Sequence, residues 1–262
     1  MLRAMRTAAA GMQAQQLFVD TVAHNLANVN TNGFKKVRIL FEDLFYQTLK
    51  PAGTPGAETP GAPVAVEVGH GVRPVATDRI HTQGDTSLTG NPLDLAIEGD
   101  GFFQFLRPDG TIAYSRDGSL HIDGEGRIVS AGGSLLTPEM TVPPEATAIR
   151  VDRDGTVSAQ VLGEREPRAL GQIELARFVN PAGLTAVGGN QLLESPAAGT
   201  PLTGVPGAEA LGTVGQGIVE MSNVKVVEEM VDLILAQRAY EINGKAIQTA
   251  EEMMGVVNQL KR

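Results

Sequence analysis

The sequence predicts an α+β protein in which long N- and C-terminal helices pair as a discontinuous coiled-coil domain around an inserted antiparallel β-rich middle domain. Three observations carry this prediction. Apolar residues recur at heptad spacing near the N-terminus, and they do so again over residues 222–262. Between the two ends the period changes to alternation broken by repeated Asp-Gly pairs. The domains expected are a terminal helical core (1–30 and 222–262), a connecting segment (31–66 and 211–221), and a β-rich middle (67–210).

The N-terminal helix comes first. One heptad position gives Met5, Met12, Val19 and Leu26, and the other gives Ala8, Gln15, Val22 and Val29. Only Gln15 is polar, so the stretch reads as a helix with one narrow buried seam. From Leu2 to Val29 it would run about 42 Å at 1.5 Å per residue. Arg3 and Arg6 resemble the start of a signal peptide, but Gln13, Gln15 and Gln16 interrupt any apolar run, so a cleavable signal is not expected.

NLANVNTNGFKK (25–36) ends this helix. Asn25, Asn28, Asn30 and Asn32 tolerate turn geometry and bond to nearby backbone. Gly33 supplies positive φ, and Phe34 offers an apolar anchor beyond the turn. KPAGTPGAETPGAP (50–63) follows, with Pro51, Pro55, Pro60 and Pro63 among fourteen residues. It can be neither helix nor central strand. Composition of this kind fits a disordered linker or an arm ordered on a neighbour, and by itself favours the linker.

The middle reads as short antiparallel strands from about 64 to 180, with a looser Gly/Pro-rich return to about 218. LDLAIEGDGFFQFL (93–106) alternates across Gly99–Gly101 and predicts a β-hairpin. Asp-Gly recurs at 109–110, 117–118, 123–124 and 154–155 beside β-prone runs, the strongest short hairpin signal available.

Residues 222–262 close the chain as a second helix of about 60 Å. Ser222 or Asn223 is the expected N-cap, with Glu228, Glu229 and Asp232 in the early turns and Lys261 and Arg262 at the far end. The seam is Val226, Met230, Leu233, Gln237, Tyr240, Gly244, Ile247, Ala250, Met254 and Val257. Gly11, Gly244 and Gly255 each cost about 1 kcal/mol against Ala in a helix interior. Gly244 lies on the seam, where its missing side chain lets another backbone approach.

Composition narrows the function classes. The chain has 262 residues, a net charge of −9, no Cys and no Trp. Disulfides and thiolate chemistry are excluded, and the negative charge argues against a nucleic-acid partner. Residues 1–50 hold six Lys/Arg against three Asp/Glu and residues 222–262 five against six, leaving −11 on residues 51–221. Middle and ends therefore face different surroundings. No apolar run approaches the roughly 20 residues that span a bilayer.

A search for chemistry finds little. His24, His70, His81 and His121 show no metal-ligand spacing. GHG (69–71) lacks the context of a nucleotide loop. Asp152, Asp154 and Gly155 give a fragment of a calcium loop, but Arg150 stands at its first ligand position. Nothing pairs a nucleophile with a base. No catalytic, cofactor or metal residues are assigned, and the chain does not read as an enzyme.

The motifs NLANVNTNGFKK, GNPLDLAIEGDGFFQ (90–104), YSRDGSLHIDGEGRIVSAGG (114–133) and VEMSNVKVVEEMVDLILAQRAYEINGKAIQTAEEMM (219–254) resemble signatures of the bacterial flagellar rod and hook proteins. LFYQTLKPAGT (44–54) and GHGVRPVATDRIHTQGD (69–85) are similar to segments of the family's distal-rod members. The resemblance implies a structural subunit that polymerises helically into a hollow drive shaft crossing the periplasm. It implies export through the flagellum's own channel, which suits the missing signal. The implied partners are further copies of the chain, proximal-rod proteins, the hook protein and the outer ring proteins, with neither nucleic acid nor membrane insertion. It also implies that the arm 50–63 lies between subunits, against the compositional preference for a linker. The helix seams then become assembly surfaces, and the free monomer is expected to have fluctuating ends and a folded β-domain. A hook or other rod protein is the alternative within the family. A secreted β-rich hydrolase is the alternative outside it, and would need a pocket with convergent acid and base groups.

Overall fold

A computed structural model describes residues 2–51, 64–163, 166–208 and 210–260. Pro55, Pro60, Pro63, Lys261 and Arg262 lie outside the described residues. The chain divides into two compact units. One holds residues 1–26, 37–78 and 225–262, and the other holds residues 27–36 and 79–224.

The first unit contains α1 (Leu2–Ala27) and α2 (Val226–Leu260), the only α-helices among the described residues. With them are the paired strands Val37–Asp43 and Val72–Arg79, and the ribbon Tyr46–Lys50 against Val66–Gly69. The predicted coiled-coil domain is not what the structure contains: it has one helix at each end and antiparallel sheets between. On α2 the predicted seam faces outward at Val226 (40% exposed), Met230 (51%), Tyr240 (46%) and Val257 (55%). What α2 buries is Glu229, Ala236 and Ala250. On α1 the buried residues are Ala8, Ala14, Val22 and Asn25, while Met5, Met12, Val19 and Leu26 are half-buried. The physical reason is side-chain type. A coiled coil inserts Leu, Ile and Val knobs from its seam, whereas α2 turns only Ala and Glu229 fully inward and leaves long aliphatic chains outside. On α1, Val22 is the one larger apolar side chain buried beside Ala8, Ala14 and Asn25. A straight helix also drifts about 20° per heptad from a 3.5-residue grid.

The α2 cap is also corrected. The helix begins at Val226, and Asn223 bonds elsewhere: its side-chain oxygen accepts from the Lys36 N–H at 2.7 Å. Its amide donates to the Ile80 and Thr82 carbonyls.

The second unit is built from antiparallel sheets. The largest runs Thr185–Gly188, Gln191–Leu193, Ile112–Ser115, Phe102–Leu106, Leu135–Leu136, Ile128–Ser130, Leu120–Ile122, with Leu175–Arg177 bridging Phe102–Leu106 to Leu202–Gly204. A three-stranded sheet joins Ala146–Val151, Thr156–Val161 and Arg168–Gln172. Successive side chains of a strand point to opposite faces. Accordingly Phe103 and Phe105 enter a core with Leu95, Ile97, Leu120, Leu136 and Leu175. Phe102 enters a second core with Tyr114, Phe178 and Leu184.

Three Asp-Gly pairs turn hairpins. Asp109–Gly110 joins the strands 102–106 and 112–115, Asp123–Gly124 joins 120–122 and 128–130, and Asp154–Gly155 joins 146–151 and 156–161. At 117–118 the flanking strands find different partners. The hairpin expected over 93–106 does not form, because Leu95–Glu98 pairs with Thr213–Gln216. Gly99 (φ +110°) and Gly101 (φ +141°) send the chain to another sheet, and the Asp100 carbonyl accepts from the Gly212 N–H at 2.7 Å. The supposed loose return carries strands as far as Ile218–Glu220, which pairs with Thr86–Leu88.

Candidate assembly surface and signature turn

In the first unit, Asn25 occupies the last turns of α1 and is 1% exposed. Its oxygen accepts from the Val37 N–H at 2.9 Å, and its amide donates to the Val37 carbonyl at 2.9 Å and to Glu229 Oε2 on α2 at 3.1 Å. One side chain thus ties the end of α1 to a strand and to α2. A second close approach lies at Gly11, where a Cβ would stand 3.0 Å from Asn243 Nδ2. An open crevice beside it is lined by Gln16, Val19, Gln237, Tyr240 and Glu241.

The rest of α2 is turned outward. Val227, Met230, Val231, Ile234, Leu235, Ile242, Val256 and Leu260 are all exposed. Val227, Val231 and Ile234 follow one another at spacings of four and three, and Ile242 lies on the same stripe two turns on, beyond Arg238. Together they form an outward apolar row of the kind that marks an interaction surface. Leu233, Gly244, Ile247 and Met254 of the predicted seam are half-buried. The ribbon adds Phe45 (89% exposed), Tyr46, Leu49, Val64 and Val66. Pro51, the one arm proline among the described residues, is exposed.

In the second unit, the signature turn begins at Asn28, whose carbonyl accepts from the Thr31 N–H and whose side-chain oxygen accepts from the Thr31 hydroxyl. Val29 is half-buried and Asn30 exposed. Asn32 Nδ2 donates to Ser119 Oγ at 3.0 Å, while the Asn32 carbonyl accepts from Asn190 Nδ2 at 3.1 Å. Gly33 has φ +67° and donates its N–H to the Glu220 carbonyl at 2.8 Å. Phe34 is half-buried, and its carbonyl accepts from the Asn223 N–H.

Sequence reasoning passed over the residue that follows. Lys35 is 4% exposed, and its ammonium donates to Glu220 Oε1 at 2.5 Å and to the Thr82 carbonyl at 2.7 Å. Glu220 is 1% exposed. It also accepts from the Gly84 N–H at 2.9 Å and lies 3.5 Å from Arg116 Nη1. The Arg116 guanidinium sits over the Phe102 ring at 5.4 Å, and the same ring meets His81 edge-on at 5.6 Å. Burial lowers the Lys35 pKa more than the Glu220 carboxylate raises it. Burial also lowers that of Arg116, against Glu220 and Asp100. His81 falls to about 4, through burial first and then the charges of Lys35, Arg79 and Arg116. Neither of its ring nitrogens has a hydrogen-bond partner, so the nearby Pro181 backbone opposes the shift only weakly. The first K of NGFKK and the E of VEMSN carried no periodic signal. Only their distance in sequence from any partner marks them, and a single sequence does not show that they meet.

An open groove of the second unit, about 760 Å³, is lined by Leu93, Ile122, Asp123, Glu125, Val142 and Pro143 among others. Its carboxylates Asp123 and Glu125 are both engaged by Arg127, which leaves no acid and base converging on a common point. Among the described residues, no group of three or more Asp, Glu or His could hold a metal ion. No helix among them is long and apolar enough to cross a membrane.

Comparison with known proteins follows the same three segments. Residues 5–35 match the flagella basal body rod protein family, residues 96–159 the D1 domain of the flagellar hook protein FlgE/F/G family, and residues 216–260 the C-terminal region of the flagellar basal body rod FlgEFG proteins. The chain is 52% identical to the flagellar basal-body rod protein FlgG of Borreliella burgdorferi over 100% of both chains. It is 47% identical to that of Buchnera aphidicola over 95% of this chain and 96% of the relative. It is 43% identical to that of Caulobacter vibrioides over 99% and 100%.

Proposed function

The chain belongs to the flagellar basal-body rod protein family, and from that premise we propose that it is a structural subunit of the distal rod. It polymerises helically into the hollow shaft that carries torque from motor to hook, and so supports motility. It is exported through the flagellar channel and works where the rod crosses the periplasm. Its partners are sister copies along and around the shaft, the proximal-rod proteins, the hook protein and the outer ring proteins.

The observation that carries this reading is the outward apolar row of α2. A lone chain leaves it in water, and a neighbouring copy removes it at roughly 25 cal/mol for each Å² buried. Of the assigned assembly residues, Val226, Met230, Tyr240 and Val257 on α2 are exposed and take this role in full. Met5, Met12, Val19 and Leu26 on α1, Val29 just beyond it, and Leu233, Gly244, Ile247 and Met254 on α2 are half-buried and take it with their outer edges. Val22, 2% exposed, packs within its own unit. Asn25, Asn28, Asn30, Asn32, Gly33 and Phe34 redirect the chain between helix and β-rich region. The arm with Pro51, Pro55, Pro60 and Pro63 reaches between subunits. Contacts that repeat head to tail without closing generate filaments. The D1 match is shared with hook proteins, but similarity to rod proteins over the whole length favours the rod.

The test is expression of the wild-type chain, and of a Leu26→Asp, Tyr240→Asp variant, in a bacterium lacking its own distal-rod protein. Wild type restores hook-bearing basal bodies and swimming, and the variant is made but does neither. A wild-type chain that never enters basal bodies would sink the reading.

A further inference from the structure

We propose that Glu220 is a positioning residue that fixes the path of the N-terminal signature loop against the C-terminal signature, and thereby the form in which the chain assembles. The inference rests on the function proposed above. Its basis is a meeting of three sequence-distant segments. Lys35 lies in the N-terminal family match, Arg116 in the D1 match and Glu220 in the C-terminal match. All three side chains are buried, and the two cations share one carboxylate.

The surroundings make that carboxylate a hub. Its Oε1 accepts from Lys35 and from the Gly84 N–H, while the Glu220 backbone carbonyl accepts from the Gly33 N–H. Beside it, the Ile80 N–H donates to the Lys36 carbonyl at 2.9 Å, and Asn223 bonds to both segments. The Met221 N–H donates to the Asp85 carbonyl at 2.8 Å. Segments 33–36, 80–85 and 220–223 are thus tied together within the second unit, just where the chain leaves it at residues 36, 79 and 224.

Packing leaves this arrangement no slack. A Cβ on Gly84 would stand 2.1 Å from the Met221 carbonyl oxygen. A buried ion cluster is a poor source of stability, because desolvation offsets the attraction, and an apolar replacement of similar size is often as stable. Its particular property is direction, since a carboxylate that must meet two cations and an N–H admits one arrangement of the segments that bring them. The lowered pKa of Lys35, where burial outweighs its partner, agrees with a role in path more than in stability.

Two variants of the full chain test this. Glu220→Gln keeps the shape and removes the charge; Lys35→Met, Glu220→Leu, Arg116→Met removes the cluster and keeps the volume. Hydrogen exchange is followed at the Gly33 and Gly84 amides and at the core amides of Phe103 and Phe105, alongside polymer yield and complementation. We expect about tenfold faster exchange at Gly33 and Gly84 in Glu220→Gln with the core amides unchanged, and loss of polymer. The apolar triple is expected to recover the thermal midpoint but not the polymer. Wild-type polymer yield from a stable triple, or unaltered loop exchange in Glu220→Gln, overturns the assignment. The exchange arm reads Glu220 even where the wild-type chain forms no polymer, a result that would count against the rod function alone.

Discussion

At φ +67°, with the backbone nitrogen of Asp117 2.5 Å from where a Cβ would stand, Gly33 leaves no room for a side chain. Gly33→Ala is expected to destabilise the second unit by about 2 kcal/mol or more through backbone strain and this clash, read as a lower urea midpoint. His81 gives a pH signature. Its pKa falls from 6.5 to about 4 in the fold, so in the window between those values the unfolded chain binds the proton and the folded chain does not. The contribution is intact above pH 6.5 and is lost as pH falls toward 4, by up to about 3 kcal/mol. Urea midpoints between pH 7 and 4 are expected to fall more steeply for wild type than for His81→Phe, and parallel curves would refute this. The residues of NLANVNTNGF were visible in the sequence as a turn because Asn and Gly act locally. That Asn25 is a buried clamp to Val37 and Glu229 was not, since its partners are set by tertiary packing.

Among the elements, the Asp-Gly hairpins at 109–110, 123–124 and 154–155 were legible because both strands lie within a few residues of their turn. The pairing of Leu95–Glu98 with Thr213–Gln216 was hidden by its separation of more than a hundred residues, with only Gly99 and Gly101 to hint that the chain turns away. Helical periodicity located both terminal helices, but it could not say which stripe faces inward. On α2 the small and polar stripe does. This leads to an expectation opposite to that for an ordinary core. Ile234→Asp should leave the monomer's thermal midpoint within about 0.5 kcal/mol of wild type, as surface substitutions do, while abolishing sedimentable polymer. A large drop in monomer stability would show that Ile234 packs within its own chain.

The molecule as a whole divides into one unit whose long helix α2 buries few residues and another with two dense aromatic-aliphatic cores. Native-state stability follows buried apolar contact. In the monomer, amides of α2 from Val231 to Leu260 are therefore expected to exchange at least tenfold faster than those of Phe103, Phe105 and Tyr114, and polymerisation is expected to erase the difference. Uniform protection across both sets in the monomer would contradict this. The strand Phe102–Leu106 adds a consequence of another kind. Because its neighbouring phenylalanines serve opposite cores, neither core can melt alone while that strand stays in place. Heat or a protease should find this half of the protein whole or wholly open, with no half-molten species to tangle during transit.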